Sequence, residues 1–77
     1  MRQDDIQSKV LEILREATRT AISIDEPLLT SGLIDSIAAV DIALAVEGAL
    51  GVAIPATEIG LRLQTARTLI DYVSSHH

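Results

Sequence analysis

The 77-residue sequence has no cysteine, no tryptophan and no phenylalanine, and only one tyrosine. Without cysteine there is no disulfide and no thiolate metal site. Stability must come from packing, in a chain so short that folding buries only about 60% of the surface exposed when unfolded. The near absence of aromatics makes that core aliphatic, and 48% apolar content, mostly Ala, Leu, Ile and Val, can supply it. Histidine occurs only at His76 and His77, which read as an exposed tail without a role. A serine hydrolase needs a general base beside its nucleophile, and none is at hand. Paired-carboxylate chemistry needs a pocket that a chain of this size has little room to build. Calcium-loop alternation of acids and a glycine-rich phosphate loop are both missing. These absences predict no catalytic residue, no metal and no enzyme activity of its own.

Long apolar runs are missing too. The most apolar region is broken by Asp41 and Glu47 and is too short to cross a bilayer as a helix. The opening "MRQDDIQSKV" has no apolar h-region of a signal peptide. The expectation is a soluble, cytoplasmic, monomeric protein. Net charge is −5, from six Lys and Arg against eleven Asp and Glu, which argues against nucleic-acid binding. Positive charge is absent altogether from residues 20 to 61. All six basic residues (Arg2, Lys9, Arg15, Arg19, Arg62 and Arg67) lie outside that span, and Asp25, Glu26, Asp35, Asp41, Glu47 and Glu58 lie within it. Such a distribution serves solubility or steers basic partners towards the middle of the chain.

What is present is helical periodicity. Ile6, Val10, Ile13, Leu14 and Ala17 fall at helix spacing, predicting a helix over about 4–18 with Asp4 as its N-cap. Residues 19–35, "RTAISIDEPLLTSGLID", contain Pro27 and Gly32 and keep no period, so they read as a long loop. Ile22, Ile24, Leu28, Leu29, Leu33 and Ile34 are expected to pin that loop to the core. A second helix spans 36–50, stopped by Gly51. Pro55 introduces a short helix over about 56–61, and Thr65 can cap a last helix over 66–74. No useful strand alternation occurs. The prediction is a single all-α domain over 1–77, a four-helix bundle of three main helices and one short one.

The second helix is apolar on two sides. At 100° per residue Ala39, Ile42, Ala43, Val46 and Leu50 form one stripe, while Ile37, Val40 and Leu44 form another. Asp41, Glu47 and Gly48 border the second stripe, and Ser36 stands at its N-terminal end. An all-round apolar helix is usually buried. An exposed apolar strip rimmed by acids is instead a docking surface for apolar and basic partners. Periodicity alone leaves both readings open. At the start of this helix, Asp35 is suited to accept hydrogen bonds from free backbone N–H groups. Ser36 has no base in its neighbourhood, so it reads as a residue acted upon rather than one that acts.

In order and register, "GLIDSIAAVDIALAVEGALGVAIPATEI" followed by "TARTLIDYV" resembles the acyl carrier protein family over almost the whole chain. The resemblance implies an acyl-carrier-like bundle. It implies that a phosphopantetheinyl transferase moves 4′-phosphopantetheine from coenzyme A onto Ser36, with Asp35 assisting. It further implies that the arm's thiol carries an acyl or aminoacyl group as a thioester, and that partner enzymes dock at Ile37, Val40, Asp41, Leu44 and Glu47. Those partners are the transferase, a loading ligase, and acyl-transferring or condensing enzymes. The sequence departs from carriers of housekeeping fatty-acid synthesis. Leu33 and Ile34 replace a small pair, Ala38 replaces an acid, Glu47 stands without a neighbouring acid, and Leu50 replaces Phe. "GLIDS" is closer to stand-alone aminoacyl, D-alanyl and specialised acyl carriers, so a role in secondary metabolism, aminoacyl transfer or modified lipids is expected. The Ala-rich second helix leaves room for a buried chain or packs tightly, and tight packing is the expectation. The rival reading is a helical interaction domain that is never modified.

Overall fold

The computed structural model describes residues 3–76. Helix α1 (Gln3–Thr18) carries Asp4 and Asp5 in its first turn and Arg15 in its last, both favourable to the helix dipole. Asp4 therefore lies inside the helix and is not its N-cap. Ile6, Val10 and Leu14 are buried, Ile13 is half-buried, and Ala17, expected in the core, is exposed. Ala17 instead lines an open groove with Asp41, Ile42 and Ala45, so the next helix lies beside it without closing over it. The chain leaves α1 through Arg19, whose φ of 61° is the left-handed geometry usually given to glycine. Its N–H closes on the Arg15 carbonyl at 2.7 Å.

The following loop is irregular but well anchored. Leu28 and Ile34 are buried in the core, with Ile22, Ile24, Leu29 and Leu33 packed against it. Its backbone is stitched to the far end of the chain. Leu28 N–H donates to the Gln64 carbonyl (2.9 Å), and Arg67 N–H donates to the Ile24 carbonyl (2.8 Å). An isolated antiparallel bridge pairs Pro27 with Thr65. Outside these backbone contacts, the Arg67 guanidinium holds the Asp25 carboxylate through Nε at 2.5 Å. These links explain how a loop this long keeps one conformation: its backbone groups find partners that a helix would otherwise supply.

Helix α2 (Ser36–Leu50) ends at Gly51, whose φ of 72° lets its N–H return to the Glu47 carbonyl. A one-turn 3₁₀ segment (Ala56–Glu58) leads into the short α3 (Ile59–Arg62), and α4 (Ala66–His76) closes the bundle. Thr65 and Thr68 cap α4 reciprocally: Thr68 N–H donates to Thr65 Oγ1, and Thr65 N–H to Thr68 Oγ1, both at 3.1 Å. Helix α1 packs on α4 and α2, and α3 bridges α2 and α4. The core is entirely hydrophobic, and among the described residues no charged side chain is buried. Its one aromatic ring is Tyr72, which donates to the Ala53 carbonyl at 3.3 Å and stacks on His76 with ring centroids 4.1 Å apart. His76 is thus the last residue of α4 rather than a loose tail, while His77 lies outside the described residues. No described helix is long and apolar enough to cross a membrane.

Candidate functional site

The start of α2 is built by the turn before it. Gly32, at φ 82°, turns the chain so that its N–H meets the Leu29 carbonyl. Ile34 N–H then returns to the Leu28 carbonyl at 3.2 Å. Buried Ile34 fixes the chain directly ahead of Asp35. Asp35 has extended backbone (φ −101°, ψ −177°), its carbonyl takes the first helical bond from Ala39, and its Oδ1 accepts from Ala38 N–H at 2.7 Å. This is the N-cap expected of it, worth about 1 kcal/mol to the helix. Asp35 Oδ2 is left without a protein partner among the described residues.

Ser36 is the first residue of α2 and is exposed, and its hydroxyl has no partner among the described residues. It stands where the unsatisfied N–H groups of a fifteen-residue helix create a positive end. A phosphodiester joined to this hydroxyl would sit in a favourable field, so the residues present fit a phosphate-linked group. Among the described residues, no histidine, lysine or second carboxylate forms a hydrogen bond with Ser36 to take its proton. The geometry presents a hydroxyl and does not activate it.

The two stripes of α2 part company. Ala39, Ile42, Ala43, Val46 and Leu50 are its buried residues. Ile37 is 73% exposed, Val40 46% and Leu44 61%, and they account for three of the four large hydrophobics exposed on the described surface. Asp41, Glu47 and Gly48 beside them are exposed, and neither acid forms a salt bridge among the described residues. Ser36 to Glu47 therefore span one continuous, outward, apolar and acidic face about 16 Å long at 1.5 Å per residue.

Sequence reasoning missed the fourth exposed hydrophobic, Leu61, on α3 (54% exposed). The signal was available: Ile59 and Leu63 are inward at i and i+4, which turns the residue between them outward. Ala39 and Ala43 of α2 are buried in the core. A family model described as a phosphopantetheine attachment site matches residues 6–73. No curated protein matches the chain.

Proposed function

The chain belongs to the phosphopantetheine attachment-site family, the acyl-carrier-type carriers whose prosthetic group is 4′-phosphopantetheine, and on that premise we propose that Ser36 is the residue to which the arm is joined. The observation that carries this reading is an exposed, unengaged hydroxyl at the N-terminus of α2, directly after the capping Asp35. Ser36 Oγ forms the new bond to phosphorus of the coenzyme A pyrophosphate. The adenosine bisphosphate half leaves, and the hydroxyl proton passes to a base on the transferase. Asp35 has two separable tasks in this scheme: Oδ1 holds the helix start, and Oδ2 is free to face the transferase's cations. Once attached, the arm supplies a thiol on which an acyl or aminoacyl group is held as a thioester.

Ile37, Val40, Asp41, Leu44 and Glu47 form the docking face in this reading. Apolar contact supplies affinity, and the two unpaired acids select partners with basic rims. The partners are a phosphopantetheinyl transferase, a ligase that loads the cargo, and the enzymes that take it onward. A specialised role is favoured over housekeeping fatty-acid synthesis. Ile34 and Leu33 are committed to core packing where small residues would serve, and Ala38 offers no charge beside the attachment point. The test is intact-mass measurement after incubation with coenzyme A and a broad-specificity transferase. One arm's mass is gained by the wild-type chain and none by Ser36→Ala. A wild-type chain that gains nothing, or a variant that still gains, would overturn the assignment and favour an unmodified interaction domain.

A further inference from the structure

We infer that the open groove between α1 and α2 receives an arginine side chain of a partner seated on the outward face of α2, an inference that rests on that face being the docking face. Ile13, Glu16 and Ala17 line the groove from α1, and Asp41, Ile42 and Ala45 line it from α2. On α1 the three residues are spaced i, i+3 and i+4, so they share one side of the helix. Ile42 is buried, Ile13 is half-buried, and Ala17 and Ala45 are exposed. Apolar surface from both helices thus meets an exposed carboxylate from each. The groove's volume is about 290 Å³, at the lower end of small-molecule pockets, which start at roughly 300 Å³. It suits one long side chain better than a cofactor.

Charge and continuity identify the occupant. The salt bridges among the described residues join Lys9 to Glu12, Arg62 to Glu58 and Arg67 to Asp25, and leave Glu16 and Asp41 out. Arg19 shares a separate depression with Glu16 but forms no salt bridge with it. Residues 20 to 61 hold no basic residue, so α2 itself supplies no cation to the groove. A cation brought by a partner complements both carboxylates. Arginine fits better than lysine, because its guanidinium is weakly hydrated and its stem covers apolar surface such as Ile13, Ala17 and Ala45. The groove is also continuous with the outward stripe. Asp41 borders both, and Ala45 lies about 40° beyond Asp41 around α2, on the side away from Leu44. A partner that covers Ile37 and Leu44 therefore extends over Asp41 to the groove, and arginine is among the residues that most often anchor interfaces. Partners are then selected by two helices rather than one.

The experiment titrates the unmodified, isotope-labelled chain with a synthetic helical peptide that carries leucines along one face and one arginine at its border. Amide shift changes are expected at Ile13, Glu16, Ala17 and Ala45 together with those from Ile37 to Glu47. Glu16→Gln should weaken binding about twofold to fivefold, the size of an exposed ion pair. Ala17→Leu, which fills the groove, should lose the α1 changes and keep those on the outward face of α2. Replacing the arginine by citrulline, its neutral isostere, should do the same. Amides of α1 that stay still while those of α2 move, or unchanged affinity in Glu16→Gln, overturn the groove and leave the docking face standing. So do α1 changes that persist with citrulline, in Ala17→Leu, or with a scrambled peptide of the same composition, where plain attraction to an acidic chain accounts for them. A peptide that shifts neither helix overturns the docking face and the groove with it. Attachment at Ser36 stands apart from all these outcomes, because the chain is unmodified throughout.

Discussion

The two faces of α2 are made of the same kinds of residue and do opposite things. Ile42, Val46 and Leu50 are buried with Ala39 and Ala43, while Ile37, Val40 and Leu44, about half a turn round the same helix, stand in solvent. Hydrophobicity alone does not separate them. What separates them is company: the inward stripe has no charged member, and the outward one is flanked by Asp41 and Glu47. A helix that needed only to fold would place polar residues outward. This one keeps apolar surface exposed, and acids beside it that hold it in solution. The outward face is therefore maintained at a cost in solubility that folding does not require.

The largest expected effects come from taking one residue from each face. Ile42→Ala leaves a cavity in the core and is expected to cost about 2–5 kcal/mol, read as a lower denaturant midpoint, while folded protein is still modified at Ser36. Leu44→Ala is expected to change stability by no more than about 0.5 kcal/mol. It should instead lower kcat/KM for the transferase about tenfold, the loss typical of an interface anchor worth about 1.4 kcal/mol. Equal stability losses for the two variants would break the distinction between the faces.

Next in size is Asp35, where both faces begin. Asp35→Ala removes the cap and is expected to cost about 1 kcal/mol. Asp35→Asn keeps an oxygen for Ala38 N–H and so keeps the stability, but it loses the charge offered to the transferase. Unfolding midpoints and modification rates measured on both variants separate the two tasks: stability should follow the cap, and rate should follow the charge.

How much of this arrangement can be read from the sequence depends on how local its cause is. The buried stripe of α2, the Asp35 cap and the Gly51 stop are set by spacing and by single residue types, and each is visible in the string. Leu28 and Ile34 are recognisable as apolar residues too costly to leave in water. The backbone partner of Leu28 at Gln64 and that of Ile24 at Arg67 are not, because nothing near them in sequence announces a pairing across the molecule. Ala17 shows the opposite failure. Its spacing is right for the core, but it lines an open groove beside Asp41, Ile42 and Ala45, where α2 runs alongside without closing over it. The candidate site was legible as a serine lacking a base. Whether the second apolar stripe was core or surface was not, since periodicity describes which residues share a side and not what lies against that side.

A smaller effect tests the rim of the outward face. Gly48 sits inside α2, where a Cβ would meet nothing within 4 Å. Gly48→Ala is expected to stabilise the chain by about 0.5–1 kcal/mol, because alanine loses less backbone freedom in a helix. Urea unfolding of the variant beside wild type measures this. A destabilised variant would mean that this side of α2 is more crowded than the geometry indicates.

The smallest effect comes from a contact that touches neither face. The Arg67 side-chain hydrogen bonds to Asp25, and then its charge, hold the Asp25 carboxyl below its usual range, although partial desolvation opposes this. A depressed folded-state pKa means that the unfolded chain binds the proton more readily. The contact's contribution is therefore complete above the unfolded carboxylate value and is lost as pH falls through the lower, folded one. Both side chains are largely exposed, so the change is screened by solvent and salt. In Asp25→Asn the acid limb of the stability–pH curve should be shallower than in wild type at low ionic strength, with the two converging in high salt. Modification of Ser36 should be unchanged, because this clamp tethers the loop well before the turn at Gly32. A fall in modification rate in Asp25→Asn would mean that the loop's anchorage, and not α2 alone, sets how Ser36 is presented.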